Sequence, residues 1–313
     1  MVSPRSSARG ILDAIGNTPC VELVRVVPEG HARVFIKLEG LNPTGSYKDR
    51  MALSVIEQAE KRGDIQRDTT VIEATGGSTG SSLAFICAVR GYSFKAVSSD
   101  AFAAEKLRTM TSLGSSLDLV HSPTGKITPD LIPSMRDRAE CLAASGNFYW
   151  ADQFNNQDVL VGYEGLGREL VAQLPRGIDG FCGAVGGGGM VMGVSKILKA
   201  AWPQVRVVIL EPESAPILTK GHGGPHGVEG IGIGIVPPLL NPLYFDEARS
   251  ICEAQARDMC RRLAKEEGIL AGTSTGLNVV AAIEMAKELG PGKTVVTIAC
   301  DTGLKYMSGT LFE

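Results

Sequence analysis

Seven short runs, 33–40 (RVFIKLEG), 70–74 (TVIEA), 94–99, 117–120, 180–186, 206–212 and 294–300, are for the most part continuously apolar instead of alternating. A strand of that kind is buried on both faces, which confines it to a parallel sheet covered by helices. The stretches between them supply those helices: 49–62, 79–90, 103–113, 158–174, 190–201, 253–267 and 275–289 carry helix-like patterns. Strand-helix alternation predicts an α/β architecture with right-handed crossovers. A chain of 313 residues has room for two such units. Strand 180–186 reads as the start of the second, so a division is expected near 145–153. Segment 219–242, rich in Gly and Pro, is long for a plain connection and reads as a functional loop.

Four times an extended segment meets a turn of Gly, Ser or Thr and then a helix: PTGSYK (43–48), TGGSTG (75–80), GGGGM (186–190) and GTSTG (272–276). The first N–H groups of a helix have no intrahelical acceptor and sit at the positive end of its dipole, so each turn suits an anion. One such turn is equally an ordinary N-cap. Four together point to a shared site, because the strand C-termini of a wound sheet lie along one edge. The run Gly186, Gly187, Gly188, Gly189 before Met190 lets backbone approach a ligand closely, at an entropic cost that packing alone is not expected to justify. Phosphate is the expected guest. The G-K-[ST] ending of a P-loop is absent, and the dinucleotide fingerprint fits poorly, with Glu211 a weak candidate for holding a ribose.

Charge and composition exclude other classes. The net charge of −3 and the lack of a basic run give no case for nucleic acid. Seven cysteines, an odd number without C-x-x-C, fit reduced thiols in the cytoplasm better than disulfides. No metal site is expected: His31, His121, His222 and His226 belong to no catalytic triad, and the HGGPH pair lacks a third ligand and reads as a mobile loop. No apolar run reaches membrane-spanning length, and MVSPRSSARG lacks the apolar core of a secretory signal.

Lys48 stands at a helix start, where positive charge is least welcome. A helix N-terminus and a dry pocket both lower a lysine pKa, and a neutral amine forms Schiff bases. A lysine imine beside a phosphate cup suggests pyridoxal 5′-phosphate. Spacing alone serves equally well a surface lysine next to Asp49 and Arg50.

The ordered set NPTGSYKDR, TGGSTG, QF (153–154), the glycine loop 186–189, EGIG (229–232), GTSTG and DTGLKYMS (301–308) resembles the cysteine synthase (O-acetylserine sulfhydrylase) and cystathionine β-synthase family of fold-type II pyridoxal-phosphate enzymes. The resemblance runs from ILDAIGNTP (11–19) to the C-terminus. It implies two wound, mostly parallel α/β domains of the tryptophan synthase β-like kind with the active site between them. The first, 45–152, would carry the substrate loop; the second, 1–44 with 153–313, the phosphate loop. It implies Lys48 as the cofactor lysine and catalytic base, and Gly186, Gly187, Gly188, Gly189 and Met190 as the phosphate loop. Ser274 would face the pyridine nitrogen and Ser78 the ring hydroxyl. Thr75, Gly76, Gly77, Thr79 and Gln153 would hold the substrate carboxylate. The implied reaction is β-replacement on an activated serine by sulfide or a thiol, in a cytoplasmic homodimer. A β-eliminating lyase or dehydratase, and a non-catalytic cofactor-binding relative, stand as alternatives. The family's phosphate loop usually reads Gly-Thr-Gly-Gly-Thr, and both threonines are missing. Its substrate loop usually reads Thr-Ser-Gly-Asn-Thr-Gly; here Gly76 replaces the serine and Ser78 the asparagine. Smaller residues at both positions predict extra room beside the substrate.

Overall fold

The computed structural model describes residues 10–125, 128 and 130–313. The strands in chain order are β1 (Cys20–Leu23), β2 (Arg33–Leu38), β3 (Thr70–Ala74), β4 (Ser93–Ser99), β5 (Ser116–Val120), β6 (Phe148–Trp150), β7 (Gly180–Ala184), β8 (Arg206–Pro212), β9 (Glu247–Ile251) and β10 (Thr294–Ala299). The helices are α1 (Lys48–Arg62), α2 (Ser78–Arg90), α3 (Ala104–Ser112), α4 (Leu131–Ala144), α5 (Asp158–Gln173), α6 (Gly189–Ala201), α7 (Ile217–Lys220), α8 (Glu253–Arg262) and α9 (Thr273–Leu289). The described residues cluster into two compact units, 10–17 with Asn42–Asp152 and Thr18–Leu41 with Gln153–Glu313.

The first unit is built on an all-parallel sheet in the order β5-β4-β3-β6. Its central strands are apolar because helices cover both faces: Val71, Ile72, Ala96 and Val97 are fully buried, as are Val55, Ile56, Leu83 and Ile86 on α1 and α2. Residues 10–17 join this unit, and the Gly16 N–H donates to Asn42 Oδ1 at 2.8 Å.

The second unit is a six-stranded sheet in the order β1-β2-β10-β7-β8-β9, parallel throughout except for β1 against β2. Val34, Ile36, Phe181, Val208 and Val295 fill its core. Asn278 of α9, fully buried, joins two of the strands. Its Oδ1 accepts the Ala184 N–H at the end of β7, and its Nδ2 donates to Ile298 O on β10, both at 2.8 Å. Asn278→Ala strands a buried donor and a buried acceptor at once, each costing about 1–3 kcal/mol. A clear fall in the thermal or denaturant unfolding midpoint is therefore expected, with α/β circular dichroism retained.

The apolar runs all become strands, and three further strands lie outside them. β1 (CVEL) and β9 (EARSI) are sheet edges, where one side of the ladder faces away from the core and charged residues are tolerated. β6 is only three residues long. Helix α4 hides behind Pro133, which reads as a breaker but falls in the first turn, where the missing N–H has no partner to lose. The pattern at 253–267 divides into α8 and a π-helical turn, Leu263–Glu267, closed by Gly268 in the left-handed region at φ 68°.

Candidate active site

Lys48 is the first residue of α1 and is half-buried, with Nζ 5.1 Å from the centroid of the Tyr47 ring, within cation–π range. The neighbours that would mark it as a surface lysine are not on the surface: Asp49 is fully buried and Arg50 is buried. Asp49 gathers three donors. Oδ2 accepts the Thr44 N–H at 2.8 Å, and Oδ1 accepts the hydroxyls of Thr44 at 2.5 Å and of Ser82 at 2.6 Å. Thr44 lies in the turn before Lys48, and Ser82 lies in the second turn of α2. One carboxylate thus ties the lysine turn to the helix that follows the 75–79 loop. Its adjacency to Lys48 is visible in the sequence; nothing local reveals the bond to Ser82.

The 75–79 loop leads from β3 into α2. Thr75 Oγ1 accepts the N–H groups of Gly77 at 3.3 Å and Gly80 at 3.2 Å, so this side chain caps α2 and shapes the loop from within. Gly76 and Thr79 are buried, while Gly77 and Ser78 are half-buried. The extra room expected at position 76 is absent. A Cβ built on Gly76 would lie 2.2 Å from Phe102 Cγ, so an aromatic ring fills the space that the missing side chain leaves.

In the second unit, residues 186–190 carry β7 into α6. Gly188 sits at φ +81°, a conformation that favours glycine. A Cβ on Gly186 would meet Gly230 O at 2.4 Å, and one on Gly189 would meet Val159 Cγ1 at 2.3 Å. Packing and backbone geometry therefore account for these three glycines, which corrects the expectation that packing would not justify them. The argument for a ligand rests instead on the helix end itself. No side chain caps α6, leaving its first-turn N–H groups open to an anion. Gln153 is half-buried, and its carbonyl oxygen lies 3.3 Å from where a Cβ on Gly187 would be, so it borders the glycine loop.

Ser274, 5% exposed, is the second residue of α9. Its hydroxyl has no hydrogen-bond partner among the described residues. The start of α9 is braced from below: a Cβ on Gly272 would meet Asp301 Oδ1 and the Tyr306 ring, both at 2.5 Å. Tyr306 donates its phenol to Asp301 Oδ2 at 2.8 Å. Burial and the Asp301 charge push the Tyr306 hydroxyl well above its ordinary pKa, so it stays a donor. An uncapped helix end and a hydroxyl that bonds to no other described residue, both in one unit, suit a cofactor that carries a phosphate and a ring heteroatom.

Other candidates have structural duties. His226 accepts the Val228 N–H at Nδ1 (3.2 Å) and lies 3.0 Å from Gly232 O at Nε2, so the tautomer protonated on Nε2 satisfies both contacts and braces the 226–232 turn. That turn reaches the start of the glycine loop, where the Gly232 N–H donates to Val185 O at 3.2 Å. The Glu211 carboxylate is buried and accepts the N–H groups of Leu218 and Thr219 and the Thr219 hydroxyl at the start of α7, which leaves it no ribose to hold. Burial raises the thiols of Cys87, Cys182 and Cys260 to about 12, so none is a thiolate nucleophile at neutral pH. Among the described residues no group of three or more His, Cys, Asp or Glu could hold a metal ion.

The structure thus brings Lys48, Thr75, Gly76, Gly77, Ser78 and Thr79 together in the first unit. Gln153, Gly186, Gly187, Gly188, Gly189, Met190 and Ser274 lie in the second.

Known proteins are similar to this chain over nearly their whole length. Cysteine synthase of Staphylococcus aureus (strain N315) is 40% identical over 305 residues, 97% of this chain and 96% of that one. O-ureido-L-serine synthase of Streptomyces lavendulae is 38% identical, covering 97% of this chain and 92% of its own. The crystal structure of cysteine synthase from Entamoeba histolytica superposes with a TM-score of 0.93 at 31% identity, over 100% of this chain and 93% of that one. The family model described as pyridoxal-phosphate dependent enzyme matches residues 11–301. With the lysine turn, the glycine loop and the Ser274 helix all inside that span, the chain belongs to the pyridoxal-phosphate-dependent enzymes.

Proposed function

We propose that the chain catalyses β-replacement on an O-activated L-serine, O-acetylserine in the simplest case, with sulfide or a small thiol as nucleophile, giving cysteine or an analogue. The observation that carries the reading is Lys48 at the first position of α1, half-buried and tied through Asp49 to the helix behind the 75–79 loop. The cysteine synthase and O-ureido-L-serine synthase relatives support it.

In this reading Lys48 would hold the cofactor through Nζ. The backbone N–H groups of the loop from Gly186 to Met190 would receive its phosphate, without the two threonines usual in the family. The family resemblance implies that Ser274 would face the ring nitrogen and Ser78 the ring hydroxyl. When bound, pyridoxal phosphate supplies an electron sink that allows the Cα–H bond to break and the β-substituent to leave. The Lys48 amine would take the Cα proton as general base. Thr75, Gly76, Gly77 and Thr79 would hold the carboxylate so that the Cα–H bond faces that amine, the role the family resemblance also implies for Gln153. Ser274, a neutral hydroxyl, cannot keep the ring nitrogen protonated as a carboxylate would. That favours loss of a good β-leaving group over transamination. The first unit would then be the substrate-binding domain and the second the cofactor-phosphate domain. Reduced thiols suit a cytoplasmic enzyme, and the family resemblance supports a homodimer.

Purified protein loaded with cofactor should convert O-acetylserine and sulfide to cysteine, and should turn over other O-activated serines and thiols in a panel assay. Accumulation of only pyruvate and ammonia in the presence of nucleophile would assign a lyase instead.

A further inference from the structure

The turn after β4 places an aromatic ring where the 75–79 loop lacks a side chain. A Cβ on Gly76 would lie 2.2, 2.3 and 2.3 Å from Cγ, Cδ1 and Cδ2 of Phe102. Near-equal distances to three adjacent ring atoms mean that the ring presents its face to the Gly76 α-carbon. The adjacent glycine is free of this ring, since a Cβ on Gly77 would meet nothing within 4 Å. A serine at 76 therefore cannot coexist with Phe102 as it stands.

Phe102 is itself held from two directions. Its N–H donates to Ser99 O at 3.3 Å, and the Ala101 N–H donates to Ser99 Oγ at 3.2 Å. The Asp100 carboxylate accepts the Ser122 N–H at 2.8 Å and lies 2.6 Å from His121 Nδ1, which ties the turn to the end of β5. The side chain packs on the cluster that contains Ile72, Ala74, Val97 and Leu131. A ring anchored in this way and laid against a bare α-carbon determines where the loop backbone runs.

We propose that Phe102 is a positioning residue for the substrate loop: it sets the 75–79 backbone in register to receive the α-carboxylate of the amino-acid substrate, and position 76 is glycine because the ring occupies its side-chain volume. The inference rests on the reading of this loop as the carboxylate clasp. Gly76 and Phe102 form a matched pair, and the loop offers no side chain at 76 and 77. Specificity set in this way acts on the amino-acid substrate and leaves the nucleophile alone.

The test compares four variants with the wild-type holoenzyme: Phe102→Ala, Phe102→Leu, Gly76→Ser and the double Gly76→Ser/Phe102→Ala. Phe102→Ala should raise the KM for O-acetyl-L-serine about tenfold, with kcat and the KM for sulfide unchanged. Phe102→Leu, which keeps an apolar body on the loop, should restore most of the loss. Gly76→Ser should lose at least as much as Phe102→Ala, and the double variant should recover part of it, because the hydroxymethyl group then has the ring's place. A lowered melting temperature in Phe102→Ala without the KM split, or losses that simply add in the double variant, would overturn the inference. Calorimetric titration with L-serine separates the two levels. If the wild type does not turn over O-acetylserine but L-serine affinity follows the same pattern across the variants, the replacement reading fails and the positioning role stands. If the wild type turns over and all variants bind L-serine alike, the positioning role fails.

Discussion

Lys48→Ala should abolish replacement activity while leaving the fold intact. The side chain is half-buried at the first position of α1, and alanine is the strongest helix former, so α1 loses nothing in propensity. On the proposed function, the chemistry would lose both its covalent anchor and its proton acceptor. A positioned general base alone contributes about 10²–10⁴-fold, so a fall in kcat of at least about a thousandfold is expected. Borohydride treatment of the wild type should fix the cofactor to the peptide that contains Lys48, and the variant should yield no such adduct. An alanine variant with wild-type turnover would remove Lys48 from the mechanism.

Asp49→Ala should produce the second largest effect, and through a different route. The carboxylate is fully buried and accepts three hydrogen bonds from Thr44 and Ser82. Hydrogen bonds to charged groups contribute about 1.5–3 kcal/mol each, and the Ser82 hydroxyl is left fully buried while the half-buried Thr44 donors turn in part to water, so a stability loss of about 3–5 kcal/mol is expected. Asp49→Asn keeps the shape and one acceptor oxygen, so it separates folding from function. It should fold with a smaller stability loss and still lose about a hundredfold in kcat/KM, because an ångström of displacement at the lysine turn misaligns the base. Denaturant unfolding and steady-state kinetics on the two variants check this. Equal activity of Asp49→Asn and the wild type would show that the bond to Ser82 does not position Lys48.

The α/β class and the helix starts were legible because they are written locally. A continuous apolar run can be satisfied only by burial on both faces, and Gly, Ser and Thr before a helix have few other uses. Lys48, Ser78, Met190 and Ser274 all fall in the first turn of a helix for that reason. Edge strands β1 and β9 were not legible, because charged residues remove the apolar signal there. Phe102 on Gly76 was illegible for a deeper reason. The two are separated by β4, and a missing side chain reads as empty space until the neighbour that fills it is seen. The same limit hid Asp49, whose partner Ser82 is one turn into another helix. In the glycine run the sequence signal was real but over-read: three of the four positions are demanded by neighbouring atoms or by φ, whatever binds there.

That last feature governs how mutational data on this chain should be interpreted. Consider a saturation library scored only for soluble abundance, with no substrate and no selection for turnover. Positions 186, 188 and 189 would register as intolerant, because Gly230 O, the left-handed backbone and Val159 forbid replacements before any ligand arrives. Intolerance at these sites is therefore not a signature of cofactor binding. The informative positions are those that abundance spares and activity does not. Lys48, half-buried at a helix start, and Ser274, whose hydroxyl bonds to no other described residue, are the two for which the scores should part most widely.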